Sequence, residues 1–226
     1  GARFIASPVR TVTSLYWFSV QTIGGTYLLK ELIERFIGFQ ISFIPLALSM
    51  ATIMAILALI GFDAVKKITK YFLPVLFLGG IIMLYIFITA NGAGLTWTDV
   101  WQREGTNTIG SFVFFASLAF VQYVSGVSSA SDMARYGKTP KQASTGLFMG
   151  NFIGFSMTAI LGAYAASLVG SWNPFIVATQ LTSSSIFIGI ITIAAIASMI
   201  SINLSNAYTG GFSLLNSLPH LGRVRS

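Results

Sequence analysis

The chain has 226 residues, of which 54% are hydrophobic, 14% aromatic and only 8% charged, against about 25% charged in an ordinary soluble domain. That deficit excludes a soluble domain and leaves an integral membrane protein. Cysteine is absent, which excludes disulfides, thiol chemistry and thiolate metal sites. The formal net charge of +7 could suit nucleic acid, but the basic residues fall in short clusters between apolar runs, so they read as topology signals and no nucleic-acid partner is expected.

Gly1 opens the sequence with neither an initiating methionine nor a signal-peptide pattern, and Arg3 and Arg10 lead straight into a hydrophobic stretch. The chain therefore reads as an internal piece of a longer protein. A helix needs about 20 mostly apolar residues to cross a bilayer, and six stretches qualify, at 12–33, 39–60, 71–90, 110–130, 144–168 and 185–215. Charge or turn residues separate them, in "KELIERF", "GFDAVKKITK", "NGAGLTWTDVWQREGTN", "SDMARYGKTPKQ" and "GSWNP". The expectation is a single all-α transmembrane domain of six helices.

Orientation follows from Lys and Arg in the loops. Arg3, Arg10, Lys66, Lys67, Lys70, Arg135, Lys138, Lys141, Arg223 and Arg225 fall on one side, while Lys30, Arg35 and Arg103 fall on the other. This bias places both ends of the chain in the cytoplasm and suits a multi-pass protein of the plasma membrane.

Three segments are too polar to be plain anchors, since a polar group at membrane depth must find a partner or face water. In the first, "SLYWFSVQTIGG", Thr13, Trp17, Gln21 and Gly24 or Gly25 share one helical face. An indole plate beside an amide suits a flat heteroaromatic solute, with stacking on Trp17 and donation and acceptance by Gln21. The other reading puts Trp17 in the interfacial aromatic belt and bonds Gln21 to a neighbouring helix.

The fourth segment, "FVFFASLAFVQYVSGVSSASDMARYG", is apolar at first and small and polar from Gln122 to Asp132. Such a change predicts either a broken helix lining a cavity or an interface of small residues. Asp132 and Arg135 can pair at the helix end. The sixth, "IASMISINLSNAYTGGFSLLNSLP", puts Ser198, Ser201 and Ser205 on one face with Asn203 and Asn206 close by. Hydroxyl and carbonyl oxygens could hold a cation there, or the stripe could join helices. Just before it, Asn173 as N-cap and Pro174 at the first helical position predict a helix start.

Enzyme chemistry finds little support. The one histidine, His220, lies in a terminal loop, and H-E-x-x-H, P-loop and G-x-S-x-G motifs are missing. No cofactor is expected beyond a possible coupling ion, Na+ or H+.

Four stretches in this order, "WFSVQTIGG", "SSASDMARYGKTP", "VGSWNPFIVATQ" and "SINLSNAYTGGFSLLNSLP", resemble the nucleobase:cation symporter family, of the purine-cytosine permease and hydantoin transporter type. The resemblance spans nearly the whole chain, which would match the third to eighth helices of a twelve-helix protein. It implies part of the LeuT-type inverted-repeat transporter fold, with substrate and ion near the midplane. The first helix of that fold, which completes both sites, would be outside the chain, so the chain alone should not transport.

Carried over by residue, the resemblance implies that Trp17 stacks on the substrate and Gln21 follows one turn later. Tyr123, nine residues before Asp132, would cover the ligand's other face, with Gln122 beside it. Asn206, or Asn203 in a shifted register, would be the binding amide of the sixth segment. For the cation, sodium-coupled members use two adjacent hydroxyl residues where this chain has Ser201 between Ile200 and Ile202, with Ser198 a turn back. That departure leaves sodium and proton coupling both open. The resulting expectation is a cation-coupled importer of a nucleobase or related planar heterocycle. The competing readings are a transporter of the same fold for another solute, such as an amino acid, and a non-transporting membrane scaffold.

Overall fold

The computed structural model of the chain describes residues 3–59, 62–89, 97–102, 104–105, 108–134, 137–171 and 173–218, with the backbone only at 3, 62–65, 97, 101, 122–129 and 131–133. The described residues form α1 (Arg3–Ile37), α2 (Phe43–Leu59), α3 (Phe62–Thr89), α4 (Trp97–Gln102), α5 (Ile109–Ala134), α6 (Pro140–Val169), α7 (Pro174–Gln180) and α8 (Ser185–Ser217), with no strand among them.

Hydropathy marks the middles of the long helices, while capping chemistry sets their ends. α1 begins in the basic leader at Arg3 and runs to Ile37, where Gly38 takes a φ of 73° and donates its N–H to the Glu34 carbonyl at 3.1 Å. That left-handed conformation carries no steric cost for glycine. α3 begins at Phe62, so Lys66, Lys67 and Lys70 lie within the helix and not in the loop before it. Thr139 caps α6 by accepting from the Gln142 N–H at 3.2 Å, Pro140 fills the first turn, and Gly170 closes the helix at a φ of 68°.

Pro174 does open a helix, but it is the seven-residue α7. A fresh cap, Ser184 accepting from the Phe187 N–H at 3.4 Å, starts α8. The break considered for the fourth segment is absent, because α5 runs as uninterrupted helix from Ile109 to Ala134. Serine and alanine keep the backbone N–H that a proline would remove, so a polar turn of composition need not interrupt the ladder.

Among the described residues, three helices are long and apolar enough to cross a membrane by length and composition, at Lys66–Thr89, Pro140–Val169 and Ser185–Ser217, with shorter apolar helices at Phe43–Leu59 and Ile109–Val121. The 35-residue α1 is not among them, because Thr11, Thr13, Ser14, Ser19, Gln21, Thr22 and Thr26 dilute its apolar residues. Large side chains such as Ile44, Phe112 and Phe148 point outward, as suits a surface solvated by lipid tails.

Two compact units divide the chain, Gly1–Ile86 with Phe175–Ser226, and Phe87–Pro174. In the first, α1 packs along α8 and both meet α2. Leu28, Leu32, Ala195 and Met199 form a buried cluster, with Met50 and the α7 residues Phe175 and Ile176 packed against it. Arg35 donates to the Thr179 carbonyl at 3.2 Å, which ties the end of α7 to α1. In the second unit α4 and α5 pack on α6, and Phe87 stacks on Tyr164 with ring centroids 6.4 Å apart.

Candidate functional site

Along α1 almost every hydroxyl disposes of its proton within its own helix. Thr13 donates to the Val9 carbonyl at 2.9 Å, Ser19 to Leu15 at 2.9 Å, Thr22 to Phe18 at 2.7 Å and Thr26 to Thr22 at 2.7 Å. Such back-bonding satisfies a serine or threonine in lipid without a second helix. A glutamine or asparagine amide has more groups than this can serve.

A polar seam joins α1 to α8. The Thr11 hydroxyl is shared between the Ser7 carbonyl at 3.0 Å and the Gly210 carbonyl at 3.4 Å. Ser14 and Thr209 bond through their hydroxyls at 3.3 Å, and Asn203 Nδ2 donates to Thr22 Oγ1 at 2.9 Å. These pairs rise along α1 as they fall along α8, so the helices are antiparallel. Small residues permit the approach: a Cβ on Gly25 would lie 2.1 Å from Met199 Sδ, and one on Gly210 would lie 3.1 Å from Ser14 Cβ.

Trp17 and Gln21 sit on the flank of this seam, roughly a quarter turn around α1 from its centre. Both are half-buried, and Tyr16 meets the Trp17 ring edge-on at 5.5 Å. Gln21 makes no hydrogen bond among the described residues. The glycine doublet divides between the two faces. Gly25 belongs to the seam, while a Cβ on Gly24 would meet nothing within 4 Å.

On α8, Asn203 is fully buried at 0% exposure, and its Oδ1 has no partner among the described residues. One turn on, the half-buried Asn206 holds a buried Nδ2 that also lacks one. The Ser14–Thr209 and Thr22–Asn203 bonds bracket Trp17, Gln21 and Asn206, so these three occupy the same stretch of the helix pair. Ser198 and Ser201 are turned away from α1, on the side of α8 shared with Ala194, where a Cβ on Gly79 of α3 would lie 2.4 Å from the Ala194 Cβ. Ser201 Oγ is buried without a partner.

Thus the structure brings Trp17, Gln21, Asn203 and Asn206 to one stretch and sets Ser198 and Ser201 apart on another face. The side chains of Gln122 and Tyr123, in α5, lie outside the described residues. Of the seam, Gly25 and Asn203 were singled out in the sequence, but Thr11, Ser14, Thr22, Thr209 and Gly210 were missed. The only signal for the seam was a second set of small and hydroxyl residues at three-to-four spacing, one step out of phase with Thr13, Trp17 and Gln21.

Helices long and apolar enough to span a membrane, together with a hydroxyl-rich helix pair, define a multi-pass helical membrane protein. A family model described as permease for cytosine/purines, uracil, thiamine, allantoin matches residues 1–225, and the chain belongs to that family. It is a family of permeases and not of enzymes. The chain is also 24% identical over 186 residues to a hydantoin permease of Microbacterium maritypicum, a match that covers 76% of this chain and 37% of that relative. The chain thus spans well under half the length of the curated relative it matches. No solved structure matches it.

Proposed function

We propose that the chain is the substrate-binding part of a secondary transporter that imports a nucleobase or related planar heterocycle by cation-coupled symport with alternating access. On this reading Trp17 stacks on the ring, while Gln21 and Asn206 bond its polar edge. The observation that carries it is the set of groups left over on one stretch of the α1–α8 pair. Asn203 Oδ1 and Asn206 Nδ2 are buried without partners, and Gln21 is unbonded beside them among the described residues. In a membrane such groups are costly unless something polar meets them. Permease membership and the hydantoin permease relative support the same substrate class.

The fold proposed is the LeuT type, set in the plasma membrane with both ends of the chain cytoplasmic. Ser201, whose buried oxygen lacks a partner among the described residues, is the proposed ligand for Na+ together with Ser198; coupling to H+ instead would place the proton carrier outside these hydroxyls. Ser201→Ala is expected to weaken cation dependence of uptake more than stability, and an unchanged cation response moves the ion site elsewhere.

The test is thermal stabilisation of the intact protein by purines, pyrimidines and hydantoins, each with and without sodium. Stabilisation by one heterocycle that grows with sodium supports both parts of the reading, because linkage requires each ligand to tighten the other. Stabilisation indifferent to sodium keeps the substrate class and selects protons. No shift with any heterocycle overturns the reading.

A further inference from the structure

Asn203 is anchored by a residue that no sequence motif singled out. The Phe18 carbonyl can only accept, so the Thr22 proton is committed to it at 2.7 Å. Thr22 Oγ1 then offers Asn203 lone pairs alone, and an amide meets lone pairs with its nitrogen, here at 2.9 Å. The orientation of the Asn203 amide is therefore dictated by hydrogen-bond chemistry. Its oxygen has to face the other way, and there it is buried with no partner among the described residues.

Both residues of this relay are closed off from solvent, Thr22 at 6% and Asn203 at 0% exposure. A buried acceptor of this kind calls for a donor. Thr22 follows Gln21 directly, and Asn203 lies one turn before Asn206, so the bond fixes the register of the very stretch that carries the proposed ligand contacts.

We propose that Thr22 is a positioning and specificity-determining residue: by holding the Asn203 amide nitrogen, it makes the site offer a carbonyl oxygen and so select ligands that present an N–H there. This inference rests on the substrate class proposed above. Thr22 need not touch the ligand. Its effect passes through Asn203, and its loss would let the amide turn and accept either kind of edge.

Hydantoin, 1-methylhydantoin and 3-methylhydantoin are the probes, with binding to the intact protein read by thermal shift and competition. The unaltered protein should lose about tenfold or more in affinity for at least one methylated form, because a site built to bond an N–H rejects an analogue without it. Thr22→Val, close in shape but without the acceptor, should bring the ratio to within about threefold, and Thr22→Ser should restore it. Thr22→Ala removes the same acceptor without demanding space, and serves if the valine variant does not fold. An unchanged ratio in the valine or alanine variant overturns the positioning role and leaves the transporter reading intact, as does equal binding of all three probes by the unaltered protein. An unaltered protein that binds neither hydantoin, cytosine nor uracil overturns both.

Discussion

Thr13, Trp17, Gln21 and Gly24 run down one side of α1, and Thr11, Ser14, Thr22 and Gly25 run down the side next to it, yet only the second set is bonded or keyed to α8. The two stripes resemble each other in composition and differ in company. In the seam, hydroxyls bridge two helices, and the glycines at 25 and 210 give way to Met199 and Ser14. On the flank, an amide stays unbonded among the described residues and a glycine faces open space. Small and polar residues in a membrane helix are therefore ambiguous until the neighbour is known, because the same residue types serve helix contact and ligand contact alike.

Substitutions at the two stripes should separate these roles. The largest effect is expected at the seam. Gly25→Leu forces a side chain into the space held by Met199 Sδ and Cγ, and thermal unfolding should report a loss of about 3 kcal/mol. Wild-type stability in that variant would mean that the Met199 side chain can swing aside and that Gly25 is not needed for the approach of α1 to α8. Next comes the flank, where Trp17→Ala should weaken heterocycle binding by roughly 1–3 kcal/mol, the scale of one base stacked on an aromatic ring. Unchanged affinity in a well-folded variant would remove Trp17 from the site.

The smallest effect sharpens the contrast most. Gly24→Ala, one residue from Gly25, should shift stability by less than about 1 kcal/mol and in the stabilising direction, since alanine is the better helix former and nothing stands within 4 Å. A destabilisation like that of Gly25→Leu would show the flank to be a second packed interface, and the comparison would collapse.

Much of the helical organisation is written in the sequence, because apolar runs must lie along spanning helices. The Asn173–Pro174 pair marks a helix start by the same local logic, although nothing local says that α7 ends after seven residues. Helix ends were harder to read, as with the entry of α1 at Arg3 and of α3 at Phe62, where charged residues continue the helix beyond the apolar stretch. The site was legible only to the level of a face. Spacing groups Trp17 with Gln21, but which of Gly24 and Gly25 meets another helix depends on Met199, a residue some 170 positions away whose approach no local pattern encodes. Asn203 and Asn206 are equivalent by composition. Only the bond to Thr22 distinguishes the amide that has spent its nitrogen from the one that has not.

The bonds that join α1 to α8 link residues 181, 195 and 199 positions apart. At a synthesis rate of about 5–20 residues per second, α1 waits roughly ten to forty seconds between leaving the ribosome and meeting its partner. During that interval its back-bonded hydroxyls are already content, so the helix can rest in lipid or in the insertion machinery with few exposed polar protons. Gln21 has no such internal refuge. Biogenesis therefore places a heavy demand on Gln21, whose amide is unbonded among the described residues, and the late arrival of α8 is the step at which the hydroxyls of the seam gain their partners.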